Sequence, residues 1–470
     1  MTEQYSPERR TALVLTGTGA DGAYHAGVLR ALHEAGIKID LVCGRGIGTV
    51  AAVFASVDGA ARLWDHQQGL WRVTAVSQLY RWRWPIRVLL ALLAALAGVL
   101  ISPLFFLAIG LVVYPMGLLL GMGGLEAGAT LTRQYADLLA AAFGPGALPT
   151  WLPRLIAVIV IAALLTLVIG SVLAWRRAPL RRRSRGPVAW ALLGAPLEGT
   201  AAAEHFTAGL WDLLKGGTAL KAPANEDLSR RFAELLSENL GQPGFSELLL
   251  GVHDLDARRD LVFGLVREPY RRTLFPPPGG SSVRRAEAFD LSGLARDHLL
   301  DIVRAALSVP GLTDPTLVRF APDAYWRGEV HRLVDRPAGL SRLLEEAAAA
   351  GAEQLILVSA SAEPPGPHEL GRPRLEPLGR LSEHAASMEA AAVRDALRHI
   401  QHRFRAVYLI RPAHNPVGAF DLAGAYDERS DRQHSLTELI ERGYEDAYRD
   451  FIEPVVAASG EHLQAPAVDG

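Results

Sequence analysis

Two glycine-rich turns hold the residues whose types and spacing suit chemistry. The first, Gly17-Thr18-Gly19-Ala20-Asp21-Gly22, follows the apolar run TALVLT and opens a helix with Ala23, Ala26, Leu29 and Leu32 on its apolar face. Gly36 stops that helix at its C-terminal end. A loop of this kind aims backbone N–H groups and the positive end of a helix at an oxyanion, a carboxylate or a phosphate. Its G-x-G-x-x-G frame also fits a pyrophosphate, but a dinucleotide fold wants an acidic residue at the end of the second strand. Asp40 stands near the start of that strand instead. The second turn, Gly44-Arg45-Gly46-Ile47-Gly48, lies between a strand at 39–42 and a small apolar helix at 49–56. It has the frame of G-x-S-x-G, in which a strained strand-to-helix turn presents a nucleophilic serine. Gly46 occupies the serine position. Glycine keeps the turn, because it adopts freely a conformation that other residues hold under strain. It removes the nucleophile.

Other groups near these turns have ordinary readings. Cys43 sits in the strand before the second turn and reads as a core thiol. Thr49 opens the next helix as a capping or packing residue, and Ser308, before Val309-Pro310-Gly311, reads as packing. His25 is placed to approach the site from the first turns of its helix. The 14 histidines show no H-E-x-x-H and no ligand cluster, and the loop YDERSDR around Asp427, Glu428 and Asp431 reads as hydrogen-bonded. No metal and no cofactor are expected.

The elements that position these turns alternate strand and helix. Two strand–turn–helix units within the first 56 residues indicate an α/β domain with a parallel sheet. Further strands are expected at 246–254, 261–266, 353–359 and 406–411, a strand or loop at 329–335, and helices at 225–240, 294–307, 340–350, 382–402 and 435–452. Asp335 ends the 329–335 segment.

The apolar residues are unevenly spread. Half of the 470 residues are hydrophobic, and 88–125 and 155–175 contain no charge. About 20 helical residues cross a bilayer core. The second run fits one span. The first would be roughly 57 Å long as one straight helix and contains Pro103 and Pro115, so a span at 88–110 and a bent or interfacial stretch to 125 are expected. Arg81, Arg83 and Arg87 precede the first span, and Arg176, Arg177, Arg181, Arg182, Arg183 and Arg185 follow the second. The positive-inside rule puts both flanks in the cytoplasm, against anionic headgroups. Trp82, Trp84 and Trp175 suit the interface. The polar start MTEQYSPERR has no signal-peptide core. A net charge of −2 excludes a generally basic nucleic-acid binder, and a single Cys excludes an internal disulfide. Arg in place of Lys at all but three of the 48 basic positions suggests a GC-rich bacterial genome.

The two turns, with the segments GAYHAGVLRALHEAG, LLLGVHDLDARRDLVFG, RAALSVPGLTDP and LVDRPAGLSRLLEEAAAAGAEQLILV, resemble the patatin-like phospholipase family in order and spacing. The resemblance covers roughly 8–60 and 245–360. It implies a patatin-like three-layer α/β/α domain with a mainly parallel sheet, here interrupted by a transmembrane helical hairpin. The implied division is 1–80 and 186–360 as the two parts of that domain, 81–185 as the membrane insertion and 361–470 as a C-terminal α/β extension. Residue by residue, Gly17, Thr18, Gly19, Ala20 and Gly22 correspond to the oxyanion loop, Gly44 and Gly48 to the elbow glycines and Asp335 to the dyad aspartate. Four positions depart from the family pattern: Thr18 for the middle glycine, Asp21 for Arg or Lys, Gly46 for the serine and Arg336 for the glycine after the aspartate.

The resemblance therefore implies a membrane-anchored protein of lipid metabolism whose serine dyad is lost, a pseudoenzyme that binds a membrane lipid or fatty acyl ligand or has a regulatory role. Its expected place is the cytoplasmic (inner) membrane, crossed more than once, with the α/β domain in the cytoplasm and no nucleic-acid partner. The alternatives are an active lipid acyl hydrolase using a non-standard nucleophile or a water activated by Asp335, and a nucleotide-binding membrane protein. If the oxyanion loop and Asp335 remain aligned, Gly46→Ser is expected to restore esterase activity.

Overall fold

The structure is a computed structural model; it describes residues 5–65, 67, 69–146, 148–177, 194–216, 220–277, 282–367 and 373–457. The chain divides into two compact units, one built from 1–81 and 197–470 and the other from 82–196.

The first unit is organised by a nine-stranded sheet. Its strands are β1 (Thr11–Thr16), β2 (Leu41–Arg45), β3 (Glu247–Asp254), β4 (Arg259–Leu265), β5 (Ala288–Asp290), β6 (Thr316–Arg319), β7 (Val330–Val334), β8 (Gln354–Ser359) and β9 (Ala406–Ile410). The main order is β9-β8-β1-β2-β3-β4-β5, with β7 pairing β3 and β6. The five strands from β9 to β3 are mutually parallel. β1 and β8 are buried along their whole length, as parallel strands covered on both faces must be. Alternate side chains of the central strands serve opposite faces. Ala12, Val14, Leu41, Cys43, Leu355 and Leu357 point into one core, where they meet Leu340–Ala349 and Pro377–Ile400. The opposite face carries α1 (Asp21–Glu34) and α2 (Gly48–Ala55). Leu436–Ala447 packs closely on α1. A Cβ at Gly27 would lie 1.8 Å from the Ile440 carbonyl oxygen, and one at Gly443 would lie 2.3 Å from that of Tyr24. The result is a three-layer α/β/α arrangement. Residues 361–457, set apart by sequence as an extension, contribute β9 and two of the covering helices to this same unit.

Among its described residues the second unit contains three helices: α3 (Trp84–Met122), α4 (Ala127–Phe143) and α5 (Leu148–Arg177). The expected span at 88–110 with a bent stretch to 125 is instead one continuous 39-residue helix. At Pro103 a side chain supports this continuity. Pro103 cannot donate to the carbonyl four residues back, that of Val99, and the Ser102 hydroxyl donates to it instead at 2.7 Å. α4 lies against α3 where glycines let the backbones approach, a Cβ at Gly128 falling 2.3 Å from the Gly117 oxygen. α3 and 148–173 of α5 are long and apolar enough to cross a membrane. The arginines expected at 181, 182, 183 and 185 lie outside the described residues, as do the side chains of Trp175, Arg176 and Arg177.

Candidate functional site

The site lies at the carboxyl ends of β1 and β2, which run side by side with Leu15 opposite Gly44. Gly17, Thr18, Gly19 and Ala20 leave β1, and α1 begins at Asp21. Gly46 follows β2 with φ of +57°, a left-handed backbone suited to glycine. Gly44 and Gly48 allow the strand and helix to touch. Their Cβ atoms would lie 2.6 Å from Thr49 Cα and 2.1 Å from the Leu15 oxygen. Gly22 leaves room for the Trp71 ring, 2.0 Å from its would-be Cβ.

Three N–H groups at the two turns are engaged within the chain. Thr18 N–H donates to the Asp21 carboxylate at 2.7 Å. Ala20 N–H donates to the Ala419 carbonyl at 2.8 Å. Ile47 N–H, which follows the nucleophile position, donates to the Gly17 carbonyl at 3.0 Å. In a serine hydrolase the N–H after the nucleophile helps to hold the oxyanion. Here a carbonyl oxygen occupies that place. Asp21 is thus an internal anion at the mouth of the loop where the family pattern has a cation.

Position 46 is closed in the same way. A Cβ there would lie 2.1 Å from the Gly17 oxygen and 3.1 Å from Asp335 Oδ2. Asp335 is therefore beside the elbow, held by its N–H bond to the Ser308 carbonyl at 3.0 Å. Arg336 has an extended backbone with φ of −151°, so no glycine is required after it.

The residue that sequence reasoning passed over is Arg45. It ends β2 with 1% exposure, and its guanidinium fills the space around Asp335. Nη1 donates to both carboxylate oxygens of Asp335 at 2.7 Å. Nε donates to Thr16 Oγ1 at 2.9 Å, and Nη2 pairs with Glu389 from the helix Pro377–Ile400. The Thr16 hydroxyl donates to the other Glu389 oxygen at 2.5 Å. One buried cation thus binds two buried carboxylates from distant parts of the chain. The available signal was a charged residue ending a strand of apolar residues, since such a residue must find buried partners.

The remaining candidates are quiescent. Burial pushes the Cys43 thiol far up, so it carries no thiolate at neutral pH. Thr49 Oγ1 has no hydrogen-bond partner among the described residues, hence no base. Ser308 donates to the Arg304 carbonyl at 2.9 Å. Burial lowers His25 to about 4, the Thr16 carbonyl opposing and Arg45 adding to the effect, so the ring is neutral at pH 7. Its Nε2 lies 3.1 Å from the Thr16 carbonyl oxygen.

Burial raises two carboxyls at the site. Asp21 is pushed up to about 7, against the Thr18 N–H bond and with Glu389 adding to the rise. Asp335 is pushed up to about 6, although Arg45 opposes this. Both bind more protons folded than unfolded between their ordinary value near 4 and these values. The stability they confer is complete below about pH 4 and is lost as pH rises through 6 and 7. Unfolding free energy is therefore expected to fall between pH 5 and pH 8, and Asp21→Asn, which keeps an acceptor for Thr18, to flatten that fall. Denaturant titrations of both proteins at the two pH values measure it; equal slopes would contradict the assignment.

Similarity to a known family includes this region. The patatin-like phospholipase family model matches residues 13–105. Patatin-like phospholipase domain-containing protein 6 of Homo sapiens is 52% identical over 52 residues, 11% of this chain and 4% of that protein. Triacylglycerol lipase ptl3 of Schizosaccharomyces pombe is 45% identical over 47 residues, 10% of each. The chain thus spans a tenth or less of the length of these relatives. VipD from Legionella pneumophila has a TM-score of 0.29 at 12% identity, covering 97% of this chain and 68% of that one.

Proposed function

We propose, on the premise that residues 13–105 belong to the patatin-like phospholipase family, that this chain is a membrane-anchored protein of lipid metabolism whose elbow no longer performs hydrolysis and instead holds a structural ion cluster. One observation carries the reading: Arg45 occupies both oxygens of Asp335 while the Gly17 carbonyl covers position 46. An aspartate paired in this way is not available as a base toward a serine or a water. The role this leaves to the elbow is lipid binding or regulation at a membrane surface.

Anchoring is supported by where the apolar side chains lie. Leu104, Leu107 and Leu111 on α3 and Leu164 and Leu165 on α5 are each more than half exposed within the chain. Water would penalise such a continuous apolar surface, and a bilayer would not. Full-length protein is expected to stay with membranes through high salt and alkaline washing and to need detergent for release. Leu164→Arg is expected to cost insertion about 3 kcal/mol, read as a lower membrane-bound fraction. Release by salt alone would overturn the anchoring.

The enzymatic half of the reading is tested with purified protein in phospholipid vesicles. Any turnover of phospholipid or short acyl esters is expected to be unchanged by Asp335→Asn in protein that remains folded. Turnover abolished by that substitution would return the elbow to catalysis.

A further inference from the structure

The hairpin Ala425–Asp427 and Arg432–His434 brings together a hydroxyl, an imidazole and a carboxylate that the elbow does not use. Ser430, in the exposed four-residue turn, has its Oγ 3.0 Å from His434 Nε2. His434 is 5% exposed, and its Nδ1 lies 2.8 Å from Glu438 Oε2. The sequence sets this up locally. The hairpin runs directly into the helix Leu436–Ala447, whose cap Ser435 accepts the Glu438 N–H at 3.3 Å. That cap fixes the first helical turn and turns the Glu438 side chain back toward the end of the hairpin. The same turn contributes Asp427, Glu428 and Arg429 to the wall of a cavity of about 1010 Å3 that also reaches His414, Leu375 and Tyr426.

We infer that Ser430, His434 and Glu438 form an ester-cleaving centre for carboxylic esters, separate from the elbow and next to this cavity, whose wall is formed in part by the neighbouring Asp427, Glu428 and Arg429. The constellation is that of a nucleophile within reach of a base that a third group orients. In the first step a bond forms between Ser430 Oγ and the acyl carbon, and the ester C–O bond breaks. The hydroxyl proton passes to His434 Nε2 and then to the departing alcohol. Water next attacks the acyl-serine, gives a proton to His434, releases the carboxylic acid and restores Ser430. Ester and water thus become acid and alcohol, and no further reactant is needed.

Asp427 is the competing acceptor, its Oδ2 lying 2.9 Å from Ser430 Oγ and 3.5 Å from His434 Nε2. The contest between two bases is decided by proton affinity. Burial raises Asp427, but the Arg429 N–H, the Ser430 hydroxyl and His414 outweigh it and hold the carboxyl at about 2. A carboxylate that weakly basic positions the hydroxyl and does not take its proton, which leaves His434 as the acceptor. A turn network alone would need Asp427 but not an imidazole backed by a second carboxylate. The inference does not rest on the reading of the elbow.

The test is a fluorophosphonate probe applied to the full-length protein in detergent, with peptide mapping. Labelling is expected at Ser430, absent in Ser430→Ala and unchanged in Ser308→Ala. His434→Gln is expected to slow labelling at least about 100-fold. Glu438→Gln, a positioning change, is expected to slow it less and to shift its pH profile. Ser430 is exposed, so its alanine variant keeps the fold, checked by thermal unfolding. Labelling mapped elsewhere, labelling that survives Ser430→Ala, or no labelling of folded wild type each overturns the inference. The reading of the elbow is judged separately, by Asp335→Asn.

Discussion

Replacing Arg45 with methionine is expected to destabilise the α/β unit by about 3–5 kcal/mol at pH 7, the loss that follows when one partner is removed from a buried ion pair. The reasoning follows from the contacts. Asp335 and Glu389 are 4% and 3% exposed, and Arg45 is the cation that meets both. Methionine fills much of the volume but leaves their charge without compensation. The loss should be smaller at pH 5. Asp335 and Asp21, raised to about 6 and 7, are then largely protonated, and less charge is stranded. Arg45→Lys should recover only part of it, because an ammonium cannot span Thr16, Asp335 and Glu389 together as the guanidinium fork does. Denaturant unfolding at both pH values measures the effect. A loss below about 1 kcal/mol, or one equal at pH 5 and 7, would mean that the cluster is not what holds these elements together.

The second large effect is at the elbow. Gly46→Ser is expected to leave the elbow without activity and to cost about 2–4 kcal/mol, combining left-handed backbone strain with overpacking. Its backbone φ is +57°, and the new Cβ would lie 2.1 Å from the Gly17 oxygen. Relief requires the Gly17 peptide to move, which breaks its bond to the Ile47 N–H. A hydroxyl placed there would meet an aspartate already bound to Arg45. Sequence reasoning made restoration conditional on an aligned oxyanion loop. Asp335 is in position, but the loop presents a carbonyl oxygen where a donor would be needed. Ester hydrolysis that appears in Gly46→Ser and disappears again in Gly46→Ser with Asp335→Asn would refute this reading of the loop.

What was legible in the sequence was whatever depends on local pattern. β1 reads directly from TALVLT, the two turns from their glycines, and the paired strands β3 and β4 from apolar runs around Asp256–Arg259. The apolar helices were legible by composition, but their ends were not. Pro103 and Pro115 together argue against one straight helix, and whether a serine side chain rescues a freed carbonyl, as Ser102 does at Pro103, depends on geometry. The ion cluster was hidden for a different reason. Arg45 and Glu389 are 344 residues apart, and no local period connects a strand end to the middle of a helix. The turn around Asp427 was recognised as hydrogen-bonded. Its link to His434 and Glu438 depends on how the hairpin closes onto the next helix, which the spacing of polar residues does not reveal.

The pairing of β1 with β8 has a consequence for synthesis. Thr11 lies opposite Gln354, and β2 on its other side waits for β3, which follows the apolar insertion. At typical elongation rates β1 leaves the ribosome roughly 20–70 s before its outer neighbour exists. For that interval a largely apolar strand, destined to be buried along its whole length, has one open edge and no covering layer on the β8 side. The nascent chain therefore has a long window in which a chaperone must shield the edge. The slow phase of biogenesis should be set by translation through residue 359, and truncation before that point should yield an aggregating product even with both apolar helices intact.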